Sequence, residues 1–211
     1  MTLYVISREE PYASLVLRHL RDRETPPPVF RAWLRRAGAL LAAKIARVLP
    51  LRTVRVATPL GEAVEAELEA QPLVVSVLGA GQFLAEGILD LYPEAPLGFV
   101  AARRVEEGDA VSVSVTYERL PGEWRGPAIV ADPMLATGVT LAAVIGRVAR
   151  IGAGPIAIAS VIAVPEGVKR LEKEWPGVDI FTLALDRGLN SRFFIVPGLG
   201  DAGDRSLGVI A

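Results

Sequence analysis

Nearly continuous apolar runs alternate with helical patterns through much of the chain. Strand-length apolar runs cover residues 73–78, 97–102, 128–131, 156–163 and 180–185. Helical patterns cover residues 83–91, 140–151 and 166–175. A strand that is apolar at every position is buried on both faces, which is typical of a parallel sheet covered by helices on each side. The pattern therefore predicts an α/β fold.

The first third of the chain has a different pattern. Apolar residues recur at helical spacing from Phe30 to Val48, with prolines just before and just after this segment, which predicts a helical arm. Residues 53–58 and 63–67 alternate in polarity around Pro59-Leu60-Gly61, which predicts a β-hairpin that leaves the main sheet.

Length and composition limit the class of protein. We expect one domain over residues 1–211, divided into an arm with a hairpin (1–70), a core (71–187) and a tail (188–211). A net charge of −1 argues against a nucleic-acid partner. The apolar runs are too short to cross a membrane. The absence of cysteine excludes disulfides and thiolate metal sites, and we expect a cytoplasmic location.

The tail is unusually rich in glycine and aspartate. Residues 195–205 contain three glycines and two aspartates. Because glycine costs backbone entropy in both helices and strands, we expect this segment to be an irregular loop. Such a backbone can turn sharply and approach a flat ligand, so the tail predicts a binding loop.

A second candidate binding segment follows the run at residues 128–131. Its second half, residues 136–140, offers two hydroxyls, a glycine and backbone N–H groups at a predicted helix start, which suits a phosphate. Asp132 comes just before and could accept hydrogen bonds from sugar hydroxyls, so the segment matches a ribose 5-phosphate. The alternative is that Thr137 or Thr140 caps the helix while Asp132-Pro133 forms a turn.

The carboxyl ends of parallel strands are where ligands bind in such sheets. Besides Asp132, Gly79-Ala80-Gly81 and Arg103-Arg104 follow predicted strands. A glycine pair opening a helix is also compatible with a dinucleotide-binding fold that uses one of the arginines for an NADP phosphate. Leu84 occupies the third glycine position of that motif, which argues against it.

Two segments carry a family resemblance. Residues 132–140, D-P-M-L-A-T-G-V-T, resemble the phosphoribosyl-pyrophosphate (PRPP) loop of the type I phosphoribosyltransferases, in the form found in uracil phosphoribosyltransferases. Residues 195–205 resemble the uracil-binding tail of the same family. Weaker agreement lies at residues 20–22, 58–61, 165–167 and 188–190. The resemblance implies the type I phosphoribosyltransferase fold, a mostly parallel sheet flanked by helices, with a β-hairpin excursion, an N-terminal helical arm and a C-terminal base-binding loop.

The resemblance also implies an activity. It is the transfer of ribose 5-phosphate from PRPP to N1 of uracil, giving UMP and pyrophosphate in pyrimidine salvage. Magnesium would arrive bound to PRPP rather than at a metal site of the protein. A homo-oligomer, either a dimer or a tetramer, and a GTP effector are implied as well.

Site residues are carried over by position. Asp132 is implied to hold the ribose hydroxyls and Arg104 to meet the pyrophosphate, and these two are the candidate catalytic residues. The residues implied to bind PRPP are Arg104, Asp132, Pro133, Met134, Leu135, Ala136, Thr137, Gly138, Val139, Thr140 and Asp201. Those implied to bind uracil, mainly through backbone groups, are Ile195, Gly200, Asp201 and Ala202.

One position departs from the family pattern. Relatives carry arginine in the loop after the first core strand, where this chain has Gly79. The loss of that cation weakens the expected hold on pyrophosphate. It leaves open a second hypothesis, a non-catalytic homologue that senses PRPP or nucleotides and acts on a gene or RNA.

Overall fold

The computed structural model of the chain describes residues 1–107 and 110–208, with residues 103–107 and 110–112 described by their backbone alone. The strands are β1 (Leu3–Val5), β2 (Leu51–Thr58), β3 (Gly61–Leu68), β4 (Leu73–Val77), β5 (Leu97–Glu107), β6 (Ala110–Arg119), β7 (Ala128–Ala131), β8 (Met134–Leu135), β9 (Ile156–Ala163), β10 (Asp179–Leu185), β11 (Gly188–Leu189) and β12 (Ile195–Val196). The helices are α1 (Pro11–Arg21), α2 (Pro27–Ile45), α3 (Gly81–Leu89), α4 (Val139–Arg150), α5 (Pro165–Glu174) and α6 (Ala202–Leu207).

The main sheet has the strand order β1-β10-β9-β7-β4-β5-β6, with β8 added beside β9. Its strand pairs are parallel except β5 with β6. Successive residues of β4 face opposite cores: Val74 packs with α1, α2 and α3, whereas Leu73 and Val75 pack with α4 and α5. The prediction of a mostly parallel sheet between two helical layers is confirmed.

Helices α2 and α3 touch backbone to backbone. A Cβ atom on Gly87 would lie 1.8 Å from the carbonyl oxygen of Arg35, and one on Gly38 would lie 2.0 Å from that of Leu84. Both distances are far inside van der Waals contact, so only glycine fits at these two positions. Because Leu84 is fully buried at this helix crossing, the position serves packing rather than a dinucleotide motif.

Two strands differ from the sequence prediction. Strand β5 does not stop at Arg103-Arg104 but continues to Glu107. Beyond Val100 it has left its parallel partner β4 and runs on as an antiparallel hairpin with β6, so polar residues are tolerated there. Strand β1, which the sequence did not predict, pairs in parallel with β10.

The hairpin of β2 and β3 is confirmed and forms a two-stranded sheet of its own. Both of its strands are largely exposed. In the described part of the chain, no helix is both long enough and apolar enough for a membrane span.

Candidate active site

A cleft of about 440 Å³ lies at the carboxyl edge of the main sheet. Neighbouring parallel strands β4 and β7 end together, which brings the turn at Gly79-Ala80-Gly81 beside Asp132. The tail closes the cleft with Asp201, Ala202 and Gly203. The Asp132 segment, predicted to bind ribose 5-phosphate, and the tail, predicted to bind a base, therefore share a cavity. The roles of their individual residues stay predictions.

Most of the candidate PRPP-binding residues line this cleft. Its lining includes Asp132, Pro133, Met134, Ala136, Thr137, Gly138, Thr140, Asp201 and Ala202. The candidate residues outside its lining are Leu135, Val139, Ile195 and Gly200. Leu135 is fully buried in the core, so its side chain has a packing role. The side chain of Arg104 lies outside the described part of the chain, and its contact with pyrophosphate stays a prediction.

Asp132 follows strand β7 directly and faces the cleft. Burial raises the pKa of its carboxyl to about 6, although the hydrogen bond from the Met134 N–H opposes this shift. That N–H lies 3.2 Å from Oδ1. Among the lining residues with described side chains, none is lysine or arginine, so no described cation lowers the pKa. Above pH 6 the carboxyl is mainly ionised and can accept hydrogen bonds from hydroxyls.

The phosphate-binding candidate is the turn that leads into α4. Gly138 is the N-cap with φ of +79°, so neither Thr137 nor Thr140 occupies the N-cap position of the capping alternative. The first-turn N–H groups of α4 have no i−4 partner and point out of the helix end, where the dipole favours an anion. This geometry suits a phosphate at residues 137–140.

Helix α5 supports that turn from behind. The Arg170 Nε donates to the Thr137 carbonyl at 3.0 Å. A Cβ atom on Gly167 would lie 2.4 Å from the Ala136 carbonyl oxygen, so the helix backbone packs directly against the turn. The same helix reaches the tail, because Glu166 Oε1 accepts a hydrogen bond from the Leu189 N–H at 3.1 Å. Two weakly matching segments of the sequence, 165–167 and 188–190, are thus in contact.

The tail differs from the expected irregular loop. Its first residues form strand β12 with β11, and its last residues form helix α6. Helix α6 follows Asp201, whose side chain accepts a hydrogen bond from the Asp204 N–H at 3.0 Å. This N-cap bond stabilises the helix and offsets the conformational entropy cost of Gly203 within it. Between the two elements, Gly198 and Gly200 have φ of +68° and +78°, so the expectation of a sharp turn holds there.

Arg205 ties the tail to the N-terminal helices. Its guanidinium donates to the Leu199 carbonyl at 2.6 Å and to the carbonyls of Leu20 and Asp22. It also lies 4.3 Å from the centre of the Phe30 ring. The sequence showed Arg205 only as part of a motif, and nothing in the pattern identified its partners in α1 and α2.

The sequence comparisons with known proteins agree on one family. A sequence model of uracil phosphoribosyltransferase matches residues 6–208. The uracil phosphoribosyltransferase of Aeropyrum pernix is 46% identical over 206 residues, covering 97% of this chain and 96% of the relative.

A solved structure of an Aquifex aeolicus protein superposes with a TM-score of 0.86 at 30% identity, covering 95% of this chain and 96% of the other. The adenine phosphoribosyltransferase of Trypanosoma brucei, solved with AMP, pyrophosphate and ribose-5-phosphate, matches at a TM-score of 0.50 and 14% identity, covering 77% of this chain and 68% of the other. The last of these shows a shared fold only.

Proposed function

The chain belongs to the uracil phosphoribosyltransferase family, and on that premise we propose that it forms UMP and pyrophosphate from uracil and PRPP. The observation that carries this proposal is the single cleft lined by the Asp132 segment and by the tail. The transfer needs a phosphoribosyl group and a base side by side. One wall comes from the carboxyl ends of the main-sheet strands, and the tail with the start of α6 supplies the other.

The Asp132 segment would hold the phosphoribosyl group. The ionised Asp132 carboxyl would accept the ribose hydroxyls, and the turn from Ala136 to Thr140 would bind the 5-phosphate with backbone N–H groups. Positive charge develops on the ribose as its bond to pyrophosphate breaks. A fixed carboxylate nearby stabilises that charge, so the contribution of the protein is positioning and electrostatics.

Uracil would be recognised by the tail. It presents carbonyl, N–H and carbonyl groups along one edge, which backbone groups of Ile195, Gly200 and Ala202 can match, with Asp201 beside them. Cytosine has an amine in place of O4, so a fixed backbone donor would lose its partner and reject that base. Since main-chain atoms provide the contacts, the conformation of the turn at Gly198 and Gly200 determines the specificity.

The leaving pyrophosphate needs positive charge. Among the residues with described side chains, 1–102 and 113–208, no group of three or more histidine, cysteine, aspartate or glutamate side chains could hold a metal ion. The two cleft carboxylates, Asp132 and Asp201, suit an ion that arrives already coordinated by PRPP oxygens. Bound in this way, magnesium would neutralise the departing oxygens, with Arg104 as the candidate second cation.

The direct test is uracil-dependent formation of UMP from PRPP and magnesium. Parallel reactions that replace uracil with cytosine, hypoxanthine or orotate establish the base specificity. We expect turnover with uracil and with none of the other three bases. PRPP binding without any UMP formation would contradict the proposal and favour the regulatory homologue.

The missing loop arginine gives a prediction about PRPP affinity. Gly79 lines the cleft, and a Cβ atom there would have no neighbour within 4 Å, so Gly79→Arg starts a cationic side chain at the cleft wall with its Cβ in open space. We expect the KM for PRPP to fall by roughly fivefold, since one added charge contact contributes about 1 kcal/mol. Steady-state kinetics measure this, with Gly79→Gln as the uncharged control. An unchanged or higher KM in Gly79→Arg would contradict it.

The hairpin of β2 and β3 supports the proposal of a homo-oligomer. A lone two-stranded sheet is only marginally stable in water, yet this one exposes Val56 at 43%, Val64 at 65% and Leu60 fully. A second copy of the chain would cover these side chains. We expect the molar mass from light scattering to be that of a dimer or a tetramer. We expect Val64→Glu to lower this mass toward that of the monomer and Val64→Thr to leave it unchanged. A monomeric wild type would contradict this.

Two expectations rest on the sequence alone. A GTP effector is implied only by the family resemblance, and comparing UMP formation with and without GTP tests it. A cytoplasmic location likewise stays a prediction.

A further inference from the structure

An ion pair between a partly exposed arginine and a buried aspartate joins two distant parts of the chain behind the tail. Arg21, the last residue of α1, donates from Nη1 to Asp186 Oδ2 at 2.9 Å and from Nη2 to Oδ1 at 2.6 Å. The Asp186 side chain is 5% exposed and that of Arg21 26% exposed. This bidentate geometry matches two parallel donors to two acceptors, which lysine cannot reproduce.

The same two side chains hold both polar atoms of one tail residue. The Gly198 N–H donates to Asp186 Oδ2 at 3.0 Å, and the Gly198 carbonyl accepts from Arg21 Nη1 at 2.8 Å. A Cβ atom on Gly198 would lie 2.2 Å from the Ile195 carbonyl oxygen. The turn is therefore closely packed on itself, and the ion pair fixes how it is oriented relative to α1 and β10.

We propose that Arg21 and Asp186 are positioning residues for the pyrimidine, acting through the Gly198 peptide. The proposal rests on the proposed uracil phosphoribosyltransferase activity, in which backbone groups of Ile195, Gly200 and Ala202 contact the base. Backbone groups have no side-chain rotamer with which to readjust, so a small shift of the turn misaligns them.

The position of the pair separates its effect on uracil from its effect on PRPP. Neither Arg21 nor Asp186 lines the cleft, and neither is bonded to the Asp132 segment in the described hydrogen bonds. Loosening the pair moves the turn at Gly198, whereas Asp201 keeps its bond from the Asp204 N–H and the phosphate-binding turn keeps its bond from Arg170. A merely structural role would instead reduce the amount of active enzyme and leave both KM values unchanged.

The test uses the full chain with Arg21→Lys and with the double variant Arg21→Gln, Asp186→Asn. The double variant leaves no unpaired buried charge, so it tests the proposal even where the lysine variant folds poorly. We expect the KM for uracil to rise at least tenfold in both, with the KM for PRPP and the calorimetric PRPP affinity within twofold of wild type. We also expect the preference for uracil over cytosine to fall.

Arg35→Lys is the matched control. It breaks another bidentate pair, in which Arg35 donates from Nε and Nη2 to Asp90 at 2.7 and 2.6 Å on the surface, and should change neither KM. Equal rises in both KM values, or a lower rate at unchanged uracil KM, would overturn the positioning role. If the wild type itself forms no UMP, the proposed function fails instead, so the two failures are distinguishable.

Discussion

Replacing Asp132 with asparagine is expected to lower kcat/KM for PRPP by roughly 100-fold or more, because hydrogen bonds to a charged group contribute about 1.5–3 kcal/mol each. The asparagine keeps an oxygen for the Met134 N–H, which the wild-type carboxyl accepts at 3.2 Å. It removes the negative charge that would stabilise the ribose as positive charge develops. Steady-state kinetics with varied PRPP measure the loss.

The same substitution should not destabilise the fold at neutral pH. Burial raises the pKa of Asp132 from 3.8 to about 6, so the folded state binds the proton more tightly than the unfolded state. The resulting stabilisation is complete below pH 4 and is lost as the pH rises through 6. At pH 7.5 the ionised wild-type carboxyl therefore lowers the free energy of unfolding, by at most about 3 kcal/mol, and the cleft-facing exposure of the carboxyl reduces that cost.

Thermal unfolding and a pH–rate profile complete this test. Wild-type kcat/KM for PRPP should fall as the pH drops through about 6, because the Asp132 carboxyl becomes protonated. The residual kcat/KM of Asp132→Asn should not show this decrease at acid pH. Asp90→Asn is the control, since the pKa of that surface carboxyl is lowered, chiefly by the hydrogen bond from Arg35, and Asp90 does not line the cleft. A fully active Asp132→Asn enzyme would exclude the proposed ribose contact.

Replacing Gly87 with alanine is expected to give the largest loss of stability. The added Cβ atom would lie 1.8 Å from the Arg35 carbonyl oxygen and 2.9 Å from the Ala39 nitrogen, so α2 and α3 must separate. Overpacking of this kind costs about 1–3 kcal/mol and occasionally more. For a chain of this length, a loss of 3 kcal/mol lowers the melting temperature by roughly 6–12 °C, which calorimetry measures.

Gly146→Ala provides the matched comparison. Gly146 also lies inside a helix, α4, but its added Cβ atom would lie 3.4 Å from the Trp175 ring, an ordinary contact. Alanine is the better helix former by about 1 kcal/mol, so this variant should be at least as stable as the wild type. Similar melting temperatures for the two alanine variants would rule out the close helix crossing.

Much of the fold could be predicted because the core strands are apolar at nearly every position, with Ser76, Ser160 and Thr182 as the polar exceptions in the runs at residues 73–78, 156–163 and 180–185. The runs that became β4, β7, β9 and β10 are buried on both faces, and that burial is visible in the sequence. Strand β1 has three residues and no periodic pattern, since its pairing with β10 defines it. The extension of β5 through Arg103-Arg104 was missed because antiparallel pairing with β6 does not require apolar residues.

The candidate site was predictable where its residues are contiguous. The Asp132 segment and the tail are both local motifs, and both line the cleft. The partners that hold them could not be inferred, because Arg21 and Asp186 are 165 residues apart in sequence. Helix α6 was also missed, since the glycine content of the tail concealed the capping by Asp201.

Helix α5 limits how independently the two walls of the cleft can change during evolution or engineering. Arg170 holds the Thr137 carbonyl and Glu166 holds the Leu189 N–H, and the two side chains lie one turn apart on the same rigid helix. Remodelling the Leu189 end of the tail for a different nucleobase would therefore shift this helix and disturb the turn that is proposed to bind the 5-phosphate, whereas a change confined to the turn at Gly198 has no contact with α5 among these bonds. New base specificity that alters the Leu189 end of the tail is expected to require compensating substitutions in α5, a helix with no residue in the lining of the cleft.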